Sequence, residues 1–97
     1  MELEITGDVW YWRGPSPFHF VTVPAEESEY LQDIARDVTY GWGMIPVRVR
    51  TGGTVWETSL FPKDGRYLVP LKDAVRRAEE IDQGDVVTLG LTVAARR

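Results

Sequence analysis

Cysteine is absent from the 97 residues, and histidine occurs once, as His19. Without thiols the chain has no disulfide, no thiolate nucleophile and no cysteine-ligated metal. One imidazole leaves little scope for a His-rich metal site or a conventional catalytic triad. No metal and no cofactor is therefore expected. No apolar run approaches the ~18 residues of a membrane span, and the opening stretch MELEITGDV is acidic and alternating, unlike a secretory leader. These absences lead to the expectation of a cytoplasmic protein without membrane association. Basic residues are also scarce at first. Met1–Tyr40 carries two, Arg13 and Arg36, against eight acidic residues, whereas Gly41–Arg97 carries nine against seven, for a formal net charge of −4. An acidic balance argues against generic nucleic-acid binding, whose affinity comes largely from Lys and Arg on phosphates.

What is present reads as short strands and two helices in one domain, 1–97, with a core spanning about residues 3–93 and a frayed tail at 94–97. Glu2–Thr6 alternates polar and apolar, and the aromatic run Val9–Trp12 either continues that strand or bends away from it at Gly7. Gly14-Pro15-Ser16-Pro17 is a turn. Phe18–Val23 is apolar on both faces, as a central strand would be. Pro24 suits a first helical turn, and from Ala25 to Val38 the apolar residues Tyr30, Leu31, Ile34 and Val38 recur at helical spacing, with Gly41 and Gly43 as the stop. Ile45–Arg50 alternates again and meets Gly52-Gly53, a hairpin signal in which both positions tolerate positive φ. Counting across that turn sets Val49 opposite Trp56 and Arg48 opposite Glu57. The register predicts a buried Trp56 and an exposed ion pair. After a second turn at Phe61–Gly65 and a short strand, Arg66–Val69, Pro70 is expected to open a helix near Leu71–Ala78. Its apolar face would be Leu71, Ala74, Val75, Ala78 and Ile81. Lys72, Asp73, Arg76 and Glu80 would lie on the solvated face, with Asp73–Arg77 and Arg76–Glu80 as i,i+4 pairs. Gly84-Asp85 turns into a last alternating strand carrying Val87, Leu89, Leu91 and Val93.

Two segments share one grammar: strand, Val-Pro, helix, glycine, strand. Val23-Pro24 corresponds to Val69-Pro70, and Gly41 to Gly84. Two such interlocked halves predict a mostly β fold, a small closed barrel of about six strands with a pseudo-twofold and two helical caps. Closure also removes exposed strand edges.

The stretches GWGMIPVRV, WETSLFPKDGRYLVPLKDAVRRAE and GDVVTLGLTV resemble the domain of unknown function 1905 family, with similarity running from about Leu3 to Val93. That resemblance implies a double-split β-barrel with helical caps and brings no catalytic residues with it. Val69-Pro70, Val75-Arg76 and Gly84-Asp85 followed by alternation also resemble the grammar of swapped-hairpin transcription regulators and antitoxins. That second resemblance implies a nucleic-acid-binding barrel as an alternative function, although shared architecture does not transfer activity.

Between Phe61 and Ala78 there are five basic residues (Lys63, Arg66, Lys72, Arg76, Arg77) against two acidic ones. With the hydroxyls of Thr58 and Ser59 they form the candidate surface of a binding or interaction module, directed at an anionic ligand or a protein partner. By alternation Thr58 and Ser59 point to opposite faces, and the basic residues of the helix also read as an ordinary solvated face. His19 shows no motif spacing to an acidic partner and alternates with Val21 and Val23 as a packed residue would, so no enzyme is expected. The chain is expected to be a monomer or a small homo-oligomer.

Overall fold

The computed structural model describes residues 2–38 and 43–93. The expected helix stop at Gly41 and the expected frayed tail lie outside the described residues. In chain order the elements are β1 (Glu2–Trp12), β2 (Phe18–Thr22), α1 (Ala25–Val38), β3 (Ile45–Thr51), β4 (Thr54–Lys63), β5 (Arg66–Leu71), α2 (Asp73–Glu79) and β6 (Val86–Val93). The strands close into a barrel in the order β1-β2-β5-β4-β3-β6, and every neighbouring pair is antiparallel.

This order is unchanged when β1, β2 and β3 are exchanged with β4, β5 and β6, which is the twofold implied by the repeated grammar. Two long strands make it possible. β1 pairs with β6 from Glu2 to Asp8 and with β2 from Val9 to Trp12. β4 likewise pairs with β3 from Thr54 to Leu60, then with β5 from Phe61 to Lys63. The aromatic run Val9–Trp12 therefore continues β1 past Gly7. At that handover a Cβ on Gly7 would stand 3.1 Å from the Val21 side chain.

The interior is filled by the inward row of each strand, with Ile5, Val9, Val21, Val49, Leu60, Val69, Leu89 and Leu91 all nearly inaccessible to solvent. Full burial of each such side chain contributes roughly 1.5–3 kcal/mol. Each helix inserts into this core, α1 through Leu31 and α2 through Val75. Tyr30, expected on the buried face of α1, is exposed. Ser28 on the same helix is completely buried instead. Its hydroxyl donates to the Val23 carbonyl at 3.1 Å and accepts from the Tyr67 amide at 3.3 Å, tying α1 to β5. Ser28→Ala should cost about 1–3 kcal/mol in urea unfolding, because the partners stay buried without it.

The hairpin register is as expected. Trp56 lies opposite Val49 and is buried, and Arg48 lies opposite Glu57 with a 3.2 Å ion pair in solvent. Only Gly52 of the two turn glycines has positive φ, at 56°. That is the pattern of a turn demanding glycine at its first central position alone.

The second helix differs from expectation. Pro70 does not open it: Pro70 and Leu71 belong to β5, Lys72 is the N-cap, and the helix runs from Asp73 to Glu79. The inward row Tyr67, Val69, Leu71 prolongs the strand, with Leu71 buried opposite His19. A mid-strand proline is tolerated because β4 pairs with β5 only as far as Leu68. The Pro70 carbonyl faces that unpaired edge and accepts from Trp56 Nε1 at 3.4 Å. Carbonyl and amide of a strand residue share an edge, so no ladder bond is lost there. The later start rotates the helix face. Val75 and Ile81 are buried as expected, but Ala74 and Ala78 are exposed. The two Val-Pro pairs thus match in sequence but sit two residues apart relative to their helices.

Candidate functional site

The seven residues singled out in the sequence do not form one cluster. Lys63 and Arg66 face each other across the β4–β5 hairpin, whose turn residues Asp64 and Gly65 both have positive φ, 52° and 79°. Asp-Gly is the usual composition for such a two-residue turn. It places two exposed cations directly opposite one another, an arrangement that costs a little stability. Lys72 and Arg77 are exposed on α2. Along β5, Lys72 lies six positions after Arg66, roughly 20 Å at the rise of an extended chain. Thr58 and Ser59 lie in the part of β4 paired with β3, on opposite faces.

Arg76 is not on a solvated face. Its side chain is 21% exposed, and its guanidinium contacts Asp73 at 3.5 Å and Asp82 at 3.7 Å. These pairs replace the expected Arg76–Glu80 pair, because the chain leaves the helix at Glu80 with positive φ, 54°. The Arg76 charge acts on His19, which with Tyr11 ends the inward rows of β1 and β2. Those two rings are strand partners with centroids 4.6 Å apart. His19, Arg76, Asp73 and Asp82 are thereby close enough to interact through their charges, a proximity that no sequence spacing announces. Burial, and after it the Arg76 guanidinium, holds the imidazole pKa below its ordinary 6.5, against the pull of Asp73 and Asp82.

The sign follows from the direction. The unfolded chain binds a proton at His19 more readily than the folded one, so stability is lost as pH falls below about 6.5 toward the lower folded value, and is complete above it. The drop in Tm between pH 7 and pH 5 should therefore be smaller in His19→Gln than in the unsubstituted protein. An equal drop would contradict the depressed pKa.

A second feature is only partly visible in the sequence. On the outside of β1, β2 and β4, Trp10, Phe18, Phe20 and Phe61 form a continuous aromatic chain. The centroid distances are 5.4 Å for Trp10–Phe20, 5.7 Å for Phe18–Phe20 and 6.1 Å for Phe20–Phe61. Phe20 is buried although it faces outward, because its neighbours cover it. Trp12 and Phe61 remain 40% and 38% exposed at the edges. Between them lies a cleft of about 240 Å³, floored by Pro62 and Leu68, with Lys63 as its one charged lining residue. The apolar residues on both faces of Phe18–Val23 carried the signal, but the outer set serves this wall rather than a second sheet.

A larger cleft of about 330 Å³ opens at Gly90 on the opposite side of the barrel. Its cations are Arg48, already paired with Glu57, and Arg50, with the carboxylate of Glu2 in the same lining. Mixed charge and an existing ion pair make it the weaker site.

Residues 6–91 match the family described as Domain of unknown function (DUF1905). The chain belongs to this family. No curated protein matches the DUF1905 chain. The barrel with two helices agrees with the fold that the sequence resemblance implied. Among the described residues no helix is long and apolar enough to cross a membrane.

Proposed function

We propose that this DUF1905 protein is a binding module that recognises an anionic ligand or partner. The surface proposed for contact is the aromatic outer wall of β1, β2 and β4 together with Lys63 and Arg66. One observation carries the reading: an aromatic cluster from β1, β2 and β4, joined by Leu68 of β5, lies on the outside of a barrel whose interior is already filled. An apolar cluster whose edge rings, Trp12 and Phe61, stay exposed beside a cleft is the kind of surface that commonly marks an interaction site. The cations at the adjoining hairpin tip supply the preference for negative charge. Lys72 and Arg77 add positive potential from α2, whereas Arg76 is committed to Asp73 and Asp82. Thr58 and Ser59 sit apart from this wall and make no contact in this reading. A nucleic-acid-binding barrel is the second reading. It would need a continuous cationic track, but Lys63 and Arg66 are separated from the α2 cations by an apolar strand.

Selection from a displayed random peptide library, with counter-selection on Phe61→Ala, tests the proposal. Acidic peptides carrying an aromatic residue should be enriched, and Lys63→Glu with Arg66→Glu should abolish their binding. Binders insensitive to both changes would overturn it. So would tight, salt-sensitive binding to duplex DNA at two salt concentrations.

A further inference from the structure

We propose that the outer cleft takes a small planar aromatic acid, a body of one or two fused rings bearing a single carboxylate or comparable negative group. This deepens the binding reading above and rests on it. Four features of the cleft specify that chemistry.

Its walls are preformed. The Trp12 indole lies over Gly14, where an added Cβ would fall 2.3 Å from the ring, so this turn glycine leaves the space that the indole occupies. Trp10 is fixed by a 2.9 Å hydrogen bond from Nε1 to Thr22 Oγ1, and Phe20 is wedged against Trp10, Phe18 and Phe61. Trp10 and Phe20 therefore have little side-chain freedom to lose when a ligand enters.

The walls are aromatic rings, and aromatic pairs favour offset or edge-to-face contact at ring distances already used within the cluster. A flat guest extends that arrangement, while a branched aliphatic one leaves gaps.

Its size is limiting. About 240 Å³ lies below the roughly 300–1,000 Å³ of sites for drug-sized ligands. A single or fused two-ring body is the scale that fits, and larger polycyclic guests would protrude.

Its charge is one-sided. Lys63 lines the cleft and no acidic residue does, although the chain as a whole carries −4. A negative group placed at Lys63 gains a charge-assisted contact beside apolar walls, where water screens it less than on an open surface. Arg66, directly across the hairpin, adds to the same potential.

The test uses 2-naphthoate, its neutral analogue 2-naphthamide and the cationic 2-naphthylmethylammonium. Binding is followed by calorimetry on the intact protein and on Lys63→Gln, Phe61→Ala and Gly14→Val. The naphthoate should bind saturably at one site, with the amide weaker and the ammonium weakest. Lys63→Gln should cost about tenfold in affinity for naphthoate, equivalent to about 1.4 kcal/mol, and leave the amide unchanged. Phe61→Ala should weaken both. Gly14→Val, which displaces the Trp12 indole, should also weaken both. Circular dichroism identifies any variant that fails to fold. Phe61→Ser then replaces Phe61→Ala, and Trp12→Ala replaces Gly14→Val. No saturable binding of naphthoate overturns the proposal, as does equal affinity for all three probes or indifference to Lys63→Gln. If naphthoate fails while selected acidic peptides still bind in a Phe61- and Lys63-dependent way, the small-acid proposal falls and the binding reading stands.

Discussion

Trp56→Ala should lower unfolding stability by about 3–5 kcal/mol, the range for truncating a buried aromatic. Trp56 faces inward from β4 opposite Val49 and retains only 7% of its surface in solvent. Its indole also does something a smaller apolar residue cannot. Beyond Leu68, β4 and β5 no longer pair, and Nε1 reaches across that split to the Pro70 carbonyl. Alanine would leave a cavity inside the barrel and remove that bridge. The midpoint of urea denaturation should fall with little change in slope. Val55→Ala, one residue away and half exposed, should change stability by less than about 0.5 kcal/mol. Equal effects from the two substitutions would mean that the strand faces outward where it is described as facing inward.

Gly52→Val should cost about 2–4 kcal/mol, for two separable reasons. Gly52 has φ of 56°, a conformation that costs an L-residue roughly 1–2 kcal/mol and a β-branched one more. Space is the second reason. An added Cβ would clash with Glu79 Oε1, because the Glu79 side chain rests on this turn and accepts a hydrogen bond from Thr54 Oγ1. That contact holds α2 against the start of β4. The matching substitution Gly53→Val has no atom within 4 Å of the new Cβ and should cost clearly less. In a double-mutant cycle, Glu79→Ala should recover part of the Gly52→Val loss, with a coupling of about 1 kcal/mol. Independent effects would remove the turn–helix contact from the account.

Particular residues explain how far the sequence could be read. The β3–β4 hairpin was legible in full because it is local: one turn fixed the register, and the register fixed Trp56, Arg48 and Glu57. The barrel was legible because its grammar is written twice. The start of α2 is not legible, because Pro70 carries two meanings, a favourable first helical residue and a proline beside a missing ladder. Which one applies depends on where β4 stops pairing, a tertiary fact. Helical periodicity alone puts Arg76 in solvent. Its actual position reflects Asp82, beyond the helix.

The candidate site was the least legible part. Basic residues between Phe61 and Ala78 are dense in sequence, but a strand and a helix start separate them in space, leaving Lys63 and Arg66 together at one hairpin. The residues beside them come from β1, β2 and β5, and their outward direction becomes visible only once β1 is known to change partners between Asp8 and Val9. An apolar residue on each face of a strand announces burial on both sides. In this barrel the second side is covered by an aromatic wall.

The most direct test of the binding account is a titration of ¹⁵N-labelled protein with 2-naphthoate, followed residue by residue by NMR. The predicted result is saturable shifts concentrated at the Trp10 and Trp12 indole N–H groups and at the backbone of Phe61–Lys63 and Leu68, with Lys72, Arg77 and the Gly90 side of the barrel unaffected. Shifts centred on α2 or on Arg48 and Arg50, or no saturable shift anywhere, would contradict it.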